Sequence, residues 1–234
     1  MVKKIVLLIV VFTQFTACAQ FQQVINQLPN VGLTNDQIGN GLKEALNNGI
    51  SNQVTKLTLK DGFYKNNLVK ILLPEELQKV DKTLRSIGLS HLADEGLKVL
   101  NSAAEDAVGE AIPIFSSAIK GMTFTDAKNI LLGDKNAATM YLQKTTSDPL
   151  YQKFNPIIKN SFQKVGADKI WANLISKYNS IPFTNDVNPN LTDYVTHEAL
   201  KGVFTMVAVE ELEIRNTVSK RSSDLMRRVF ALQD

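Results

Sequence analysis

Four polar residues with long side chains stand at the ends of expected elements: Tyr64, Arg85, Tyr178 and Asp193. A carboxylate, two phenols and a guanidinium converging in one cleft could orient a ligand or move a proton. The plainer account is that each satisfies backbone groups of nearby loops, as buried polar groups must. Other reactive residue types are sparse. His197-Glu198 is followed by Ala199-Leu200-Lys201, so the second histidine of a zinc-protease helix is missing. His91 and His197 are therefore expected on helix surfaces or at caps, and no metal site is assigned. Glu105, Asp106 and Glu110 form an acidic turn, expected as a solvated helix face rather than a calcium site. Arg221, Arg227 and Arg228 are likewise expected in solvent rather than on phosphate. There is no Gly-x-Ser-x-Gly elbow and no phosphate loop, so no catalytic residue and no cofactor is assigned.

The sole cysteine, Cys18, points to chemistry of another kind. Lys3 and Lys4 precede an apolar run from Ile5 to Phe12, and the small residues Thr16 and Ala17 lie just before Cys18. That is the layout of a secretory signal peptide, here residues 1–17, with cleavage behind Ala17. The run is too short for a stable span. Phe15-Thr16-Ala17-Cys18 resembles a bacterial lipobox, with Phe15 where Leu is usual, which implies that Cys18 is lipidated. The alternative is an ordinary signal peptide that leaves a free thiol. Processing removes Lys3 and Lys4 from 26 basic side chains, leaving 24 against 23 acidic ones. A net charge near +1 and an envelope address argue against a nucleic-acid partner.

Those residues need a scaffold, and the sequence describes a helical one. At 234 residues, 44% hydrophobic and 21% charged, the chain can bury a substantial core. Between Lys201 and Glu210 no side chain is charged, and Gly202 to Val209 cover every side of a helix. Such a helix is buried. A central helix over Leu191–Arg215 is therefore expected, with Glu210, Glu211, Glu213 and Arg215 emerging into water. Val203, Phe204 and Val207 should be almost fully buried.

Residues 18–33 read as anchor and linker, with Phe21, Val24, Ile25 and Leu28 at the spacing of a short docking helix. Residues 34–234 read as a single helical domain. Thr34 with Gln37, and Thr123 with Asp126, form capping boxes. Ile38, Leu42, Ala45, Leu46, Val54 and Leu57 give one buried stripe; Leu77, Val80, Leu84 and Ile87 give another, started by Pro74 and stopped by Gly88. The connection 61–73 is expected to be ordered by Phe63, Tyr64, Leu68, Ile71 and Leu73. Ser90 is expected to cap the following helix, with Leu92, Leu97, Leu100, Ala104 and Ala107 inward. Pro113 starts a short helix holding Ile114, Phe115 and Ile119. A helix from Asp134 to about Lys144 is expected to break at Thr145–Pro149, with Asp148 capping its successor. Pro156 should kink that successor. Ile170, Trp171, Leu174, Ile175 and Tyr178 form a further stripe, and a last helix covers Ser223–Phe230. No segment alternates as a strand would. The expected fold is all-α, a compact bundle of about eight to ten helices around the buried helix near the C-terminus.

Several stretches are distinctive when taken together: Asp61-Gly62-Phe63-Tyr64, Leu73-Pro74-Glu75-Glu76-Leu77-Gln78-Lys79-Val80 and Lys82-Thr83-Leu84-Arg85. Later ones are Ala103-Ala104-Glu105, Ala118-Ile119-Lys120, Met122-Thr123, Asp126-Ala127, Ala137-Ala138-Thr139, Tyr178-Asn179 and Tyr194-Val195-Thr196. Together they resemble the bacterial family of unknown function DUF4197. The resemblance runs from about Leu33 to Phe230. It implies an all-helical envelope protein with a lipoprotein-type start, and it implies no activity. Three readings follow. The first is a non-enzymatic lipoprotein facing the periplasm, held at the outer membrane by its lipid, that binds an envelope protein or a small apolar ligand. The second is an enzyme with a polar site at helix ends. The third is a purely structural envelope component.

Overall fold

Thr34 opens the first helix as its sequence prescribes. The computed structural model describes residues 32–75, 78–180, 182–183 and 186–234. In it the Thr34 hydroxyl accepts from the Gln37 backbone N–H at 3.2 Å, and Gln37 Oε1 accepts from the Thr34 N–H at 2.9 Å. This capping box starts α1 (Asn35–Thr58). It is followed by α2 (Gln78–Ser86), α3 (Ser90–Val108) and α4 (Ala111–Gly121). The second box, Thr123 with Asp126, starts α5 (Phe124–Leu131). Then come α6 (Ala137–Val165), α7 (Ala167–Asn179), α8 (Leu191–Asn216), a 3-10 turn (Val218–Lys220) and α9 (Asp224–Phe230), capped by Ser223. No strand occurs among the described residues, so the all-α reading holds. Gly88 and Gly166 take φ of +83° and +71° at the ends of α2 and α6, the left-handed conformation that Gly adopts without a Cβ penalty. The docking helix expected over 19–33 falls mostly outside the described residues, as does Leu77.

The central helix is α8. It packs on α6 and on α1, while α6 also packs on α3. Val203 and Val207 are buried, and Phe204 is 7% exposed and meets Phe115 edge-on at 5.9 Å. Phe204→Ala removes a large ring whose outer edge reaches the surface. It is expected to lower stability by about 3 kcal/mol, at the low end for such truncations. An unchanged urea midpoint would make α8 peripheral.

Residues 61–73 are ordered against α3 and α8. Phe63, Val69 and Ile71 are buried, and Gly202 on α8 gives them room: a Cβ there would stand 2.7 Å from Phe63 Cε1. The inward residue is Val69 rather than Leu68, which is 63% exposed. Ile87 and Ile170, expected inward, are also exposed. Ser90 does not cap α3, whose N-cap is Leu89 with no side-chain bond.

The charged residues differ most from expectation. Glu105 is buried, while Asp106 and Glu110 are exposed as expected. Its carboxylate accepts from the N–H groups of Phe63 (3.0 Å), Asp61 (3.2 Å) and Tyr64 (3.4 Å), which pins the start of the connection. Burial pushes the Glu105 carboxyl above its ordinary 4.5, with the three N–H donors pulling the other way. A carboxyl raised in the folded state holds its proton more tightly than in the unfolded chain. Its contribution is complete below pH 4.5 and is lost as pH rises through the raised value. Glu105→Gln turns an N–H2 toward backbone donors, so a loss of about 1–3 kcal/mol is expected, with faster proteolytic nicking at 61–73. The stability gap to wild type should narrow as pH rises above 4.5. Unchanged nicking would show that Glu105 does not order the connection.

Glu210, Glu211 and Arg215 do not emerge into water: Glu210 is buried, and the side chains of Glu211 and Arg215 are 4% and 8% exposed. Glu211 accepts from the N–H groups of Ala138 (2.9 Å) and Thr139 (2.8 Å) in the first turn of α6, and from the Thr139 hydroxyl (2.8 Å). Arg215 reaches Glu211 at 2.8 Å and donates to the carbonyls of Ile130 (2.8 Å) and Leu131 (3.2 Å), which end α5. The pair thus satisfies the open ends of two helices, and that is why it is buried. Arg221 is 2% exposed rather than solvated. It donates to the Ile214 and Arg215 carbonyls at the end of α8 and takes Asp234 in a bidentate pair at 2.7 and 2.9 Å.

The break expected at Thr145–Pro149 does not occur. α6 continues through Pro149 and Pro156. Pro149 cannot donate to the carbonyl one turn back. Buried Leu142 and Thr146 before it, and Leu150 and Phe154 after it, hold the axis against that loss. Thr145, Thr146 and Ser147 satisfy their hydroxyls on carbonyls of the preceding turn, at 2.9, 2.5 and 2.6 Å.

Candidate functional site

A groove runs between α6 and α8. Thr139, Gln143, Ser147, Asp148 and Tyr151 recur at about one-turn spacing on α6; His197, Leu200, Lys201, Phe204, Thr205 and Ala208 do so on α8. Together they line about 680 Å³, within the usual range for ligand sites. Leu200 and Phe204 are apolar at its base, and the rim is polar.

At one end of the groove a hydrogen-bonded network gathers around Asp193, in the first turn of α8. Asn190 caps that helix by accepting from the Asp193 N–H at 3.0 Å. Tyr151 donates its phenol to Asp193 Oδ1 and Asn188 donates to Oδ2, both at 2.6 Å. The bond to Asp193 raises the Tyr151 phenol above its ordinary value of 10.0, and burial adds to it. Asn155 bridges from the Tyr151 oxygen to the Thr196 hydroxyl, at 3.3 Å each. His197 lies over the Tyr151 ring, centroids 5.1 Å apart. Its Nδ1 is 2.9 Å from the Asp193 carbonyl, an acceptor only, so Nδ1 carries the hydrogen and Nε2 is the nitrogen left for a ligand.

The four residues singled out at the start do not converge. The Tyr64 ring lies under Lys70 Nζ at 4.0 Å, with Lys98 at 5.6 Å. Arg85 pairs with Asp81 at 2.9 Å and Asp94 at 2.8 Å, which hold its guanidinium protonated well above the ordinary range. Both thus find partners on α3. Tyr178 packs half-buried at the edge of the core in α7. Asp193 alone belongs to the network beside the groove. The network's other members, Tyr151, Asn155, Asn188 and His197, are not marked by the sequence as a set. Tyr151 and Asn155, like Asp193 and His197, are four apart on one helix; only the pairing of α6 with α8 joins them. Among the described residues no group of His, Cys, Asp or Glu is placed to hold a metal, and no helix is long and apolar enough to cross a membrane.

The motif stretches lie between the connection that follows α1 and the N-terminal part of α8. A family model described as protein of unknown function (DUF4197) matches residues 32–231, from just before α1 through α9. The chain belongs to the DUF4197 family. No curated protein and no solved structure matches it. That description names no activity, so only the groove's own chemistry bears on function.

Proposed function

We propose that this DUF4197 protein is an envelope lipoprotein, held at a membrane by a lipid on Cys18, whose helical body is a non-enzymatic binding module. The observation that carries the binding reading is the groove between α6 and α8: apolar at Leu200 and Phe204, with an aromatic pair, Tyr151 and His197, at one end. That pattern suits a small apolar ligand, or an apolar side chain of an envelope partner, anchored by a few polar contacts. A mature net charge near +1 gives no support to a nucleic-acid partner. The test is affinity capture from detergent-solubilised envelope, with lipid and protein fractions both identified. Ala208→Trp, which fills the groove, is the control. A species enriched by wild type and about tenfold less by Ala208→Trp supports the reading; equal enrichment by both sinks it.

The Tyr151–Asp193–His197 group supports a second reading, an enzyme in which His197 Nε2 accepts a proton. A panel of ester, amide and phosphate substrates would decide. Turnover that vanishes in His197→Gln favours it, and turnover by neither protein, or equally by both, removes it.

A further inference from the structure

The connection that follows α1 exposes an apolar and basic surface. Leu59, Leu68 and Leu72 are 60%, 63% and 48% exposed. Among the described residues no other stretch as short as 59–72 bares three large aliphatic side chains. Register explains it. Val69 and Ile71 turn into the core, and Asn101 fixes them there by accepting from the Ile71 N–H at 2.8 Å and donating to its carbonyl at 2.9 Å. Leu68, Lys70 and Leu72 are left on the outer side. Glu105 pins one end of the stretch, and the Tyr194 hydroxyl, which donates to the Leu72 carbonyl at 2.7 Å, pins the other. The leucines are therefore held outward, and only another surface can cover them.

Lysines stand among those leucines. Lys70 Nζ lies 4.0 Å and Lys98 Nζ 5.6 Å from the centre of the Tyr64 ring, so two like charges share one aromatic side chain. The Asp61 carboxyl is held below its ordinary 3.8, first by its bond to Lys65 and further by the charges of Lys60 and Lys98 nearby. Asp61 is paired with Lys65, and Asp94 with Arg85. Lys60, Lys70 and Lys98 form no ion pair with the described residues. Leucines ringed by uncompensated lysines suit an anionic bilayer. The apolar side chains enter the headgroup boundary, and the lysine stems lie along it with their ammonium groups on phosphates.

The tether favours a bilayer over an acidic protein as the occupant. The 24 residues of α1 put about 36 Å between its start and the patch at its far end. The 15 residues from Ala19 to Leu33 reach at most roughly 50 Å when extended. A lipid on Cys18 thus lets the patch touch the membrane at any tilt of α1. Tethering also holds the patch at a high effective concentration near the surface, so weak contacts suffice.

We propose, on the reading that Cys18 carries a lipid, that the 59–72 surface lies on the membrane, with Leu59, Leu68 and Leu72 in the headgroup region and Lys60, Lys70 and Lys98 on the phosphates of anionic phospholipids. The test couples the chain from Cys18 onward, through its sole thiol, to a maleimide-bearing lipid. Amide hydrogen exchange is then followed on phosphatidylcholine vesicles with and without phosphatidylglycerol. Each lysine near an anionic surface strengthens contact about fivefold. Exchange over 59–72 should therefore be at least about threefold slower with phosphatidylglycerol, with α6 and α7 unchanged, and high salt should remove the difference. Leu68→Asp/Leu72→Asp and Lys60→Glu/Lys70→Glu should each remove it too; if either fails to fold, the wild-type comparison of the two lipids still decides. No slowing on phosphatidylglycerol, equal slowing on both lipids, slowing confined to another face, or slowing kept by either folded double variant overturns the proposal. Coupling through the thiol is chemical, so a failure here leaves lipidation of Cys18 in cells standing, and a wild type that takes up no palmitate leaves this result intact.

Discussion

Glu211→Leu is expected to lower the stability of the folded chain by about 3–5 kcal/mol, seen as a large fall in the urea midpoint. The reason is what stays behind. The Arg215 side chain, 8% exposed, loses its carboxylate but keeps its charge, and a buried guanidinium without a counter-ion is expensive. The first N–H groups of α6, at Ala138 and Thr139, lose their acceptor at the same time. The double variant Glu211→Leu/Arg215→Leu removes the stranded charge as well. Its loss should fall short of the sum of the two single losses by at least about 1 kcal/mol, because the residues share one network. A single-variant loss under about 1 kcal/mol would place the pair among surface salt bridges, which contribute that little. Strict additivity would show that Glu211 and Arg215 act independently.

That junction also shows where sequence reading succeeds and where it stops. Apolar patterning locates α1 and α8, because a stripe such as Leu42, Leu46, Ile50, Val54 and Leu57 and an uncharged run such as Gly202 to Val209 are both local properties. So are the boxes at Thr34 and Thr123, where both partners lie within four residues. Glu105, Glu211, Arg215 and Arg221 are charged and therefore read as solvated. Their burial depends on which helix end or turn arrives beside them from elsewhere in the chain, and no local pattern encodes that. The continuity of α6 follows the same logic. Pro149 after Thr-Thr-Ser-Asp reads as a restart, and only the packing on both sides keeps the helix whole. The misreading carries into the site, because a break there would put Tyr151 at the start of a new helix. With α6 continuous, Tyr151 stands opposite Asp193, and the network beside the groove closes. Asp193 was legible as a polar residue at a helix start; its partners were not. Along 61–73 there is no repeat to set register, so Val69 inward and Leu68 outward could not be told apart.

Wild-type chain expressed with its leader is expected to take up labelled palmitate, and Cys18→Ala is expected to take up none. Cys18 lies outside the described residues. The thiol is the sole one in the chain and follows Phe15-Thr16-Ala17 after a basic and then apolar leader. A diacylglyceryl group on sulfur, with acylation of the new α-amino group after cleavage behind Ala17, gives two or three acyl chains. One chain binds a membrane only marginally, whereas two or more anchor it, each buried methylene contributing about 0.8 kcal/mol. On the proposed reading the lipid is the anchor. The mature charge is near +1, α8 is needed for the core, and no helix among the described residues is long and apolar enough to cross. The Cys18→Ala protein should therefore leave the membrane pellet in a high-salt wash, and wild type should stay. Ala19 rather than Asp follows the cysteine, which on the proposed lipoprotein reading favours the outer membrane, with the body in the periplasm. The 15 residues from Ala19 to Leu33 reach at most roughly 50 Å when extended, which bounds how far α1 can stand from the lipid surface. A wild type that takes up no label, or a Cys18→Ala protein that still pellets after the wash, would remove Cys18 as the anchor.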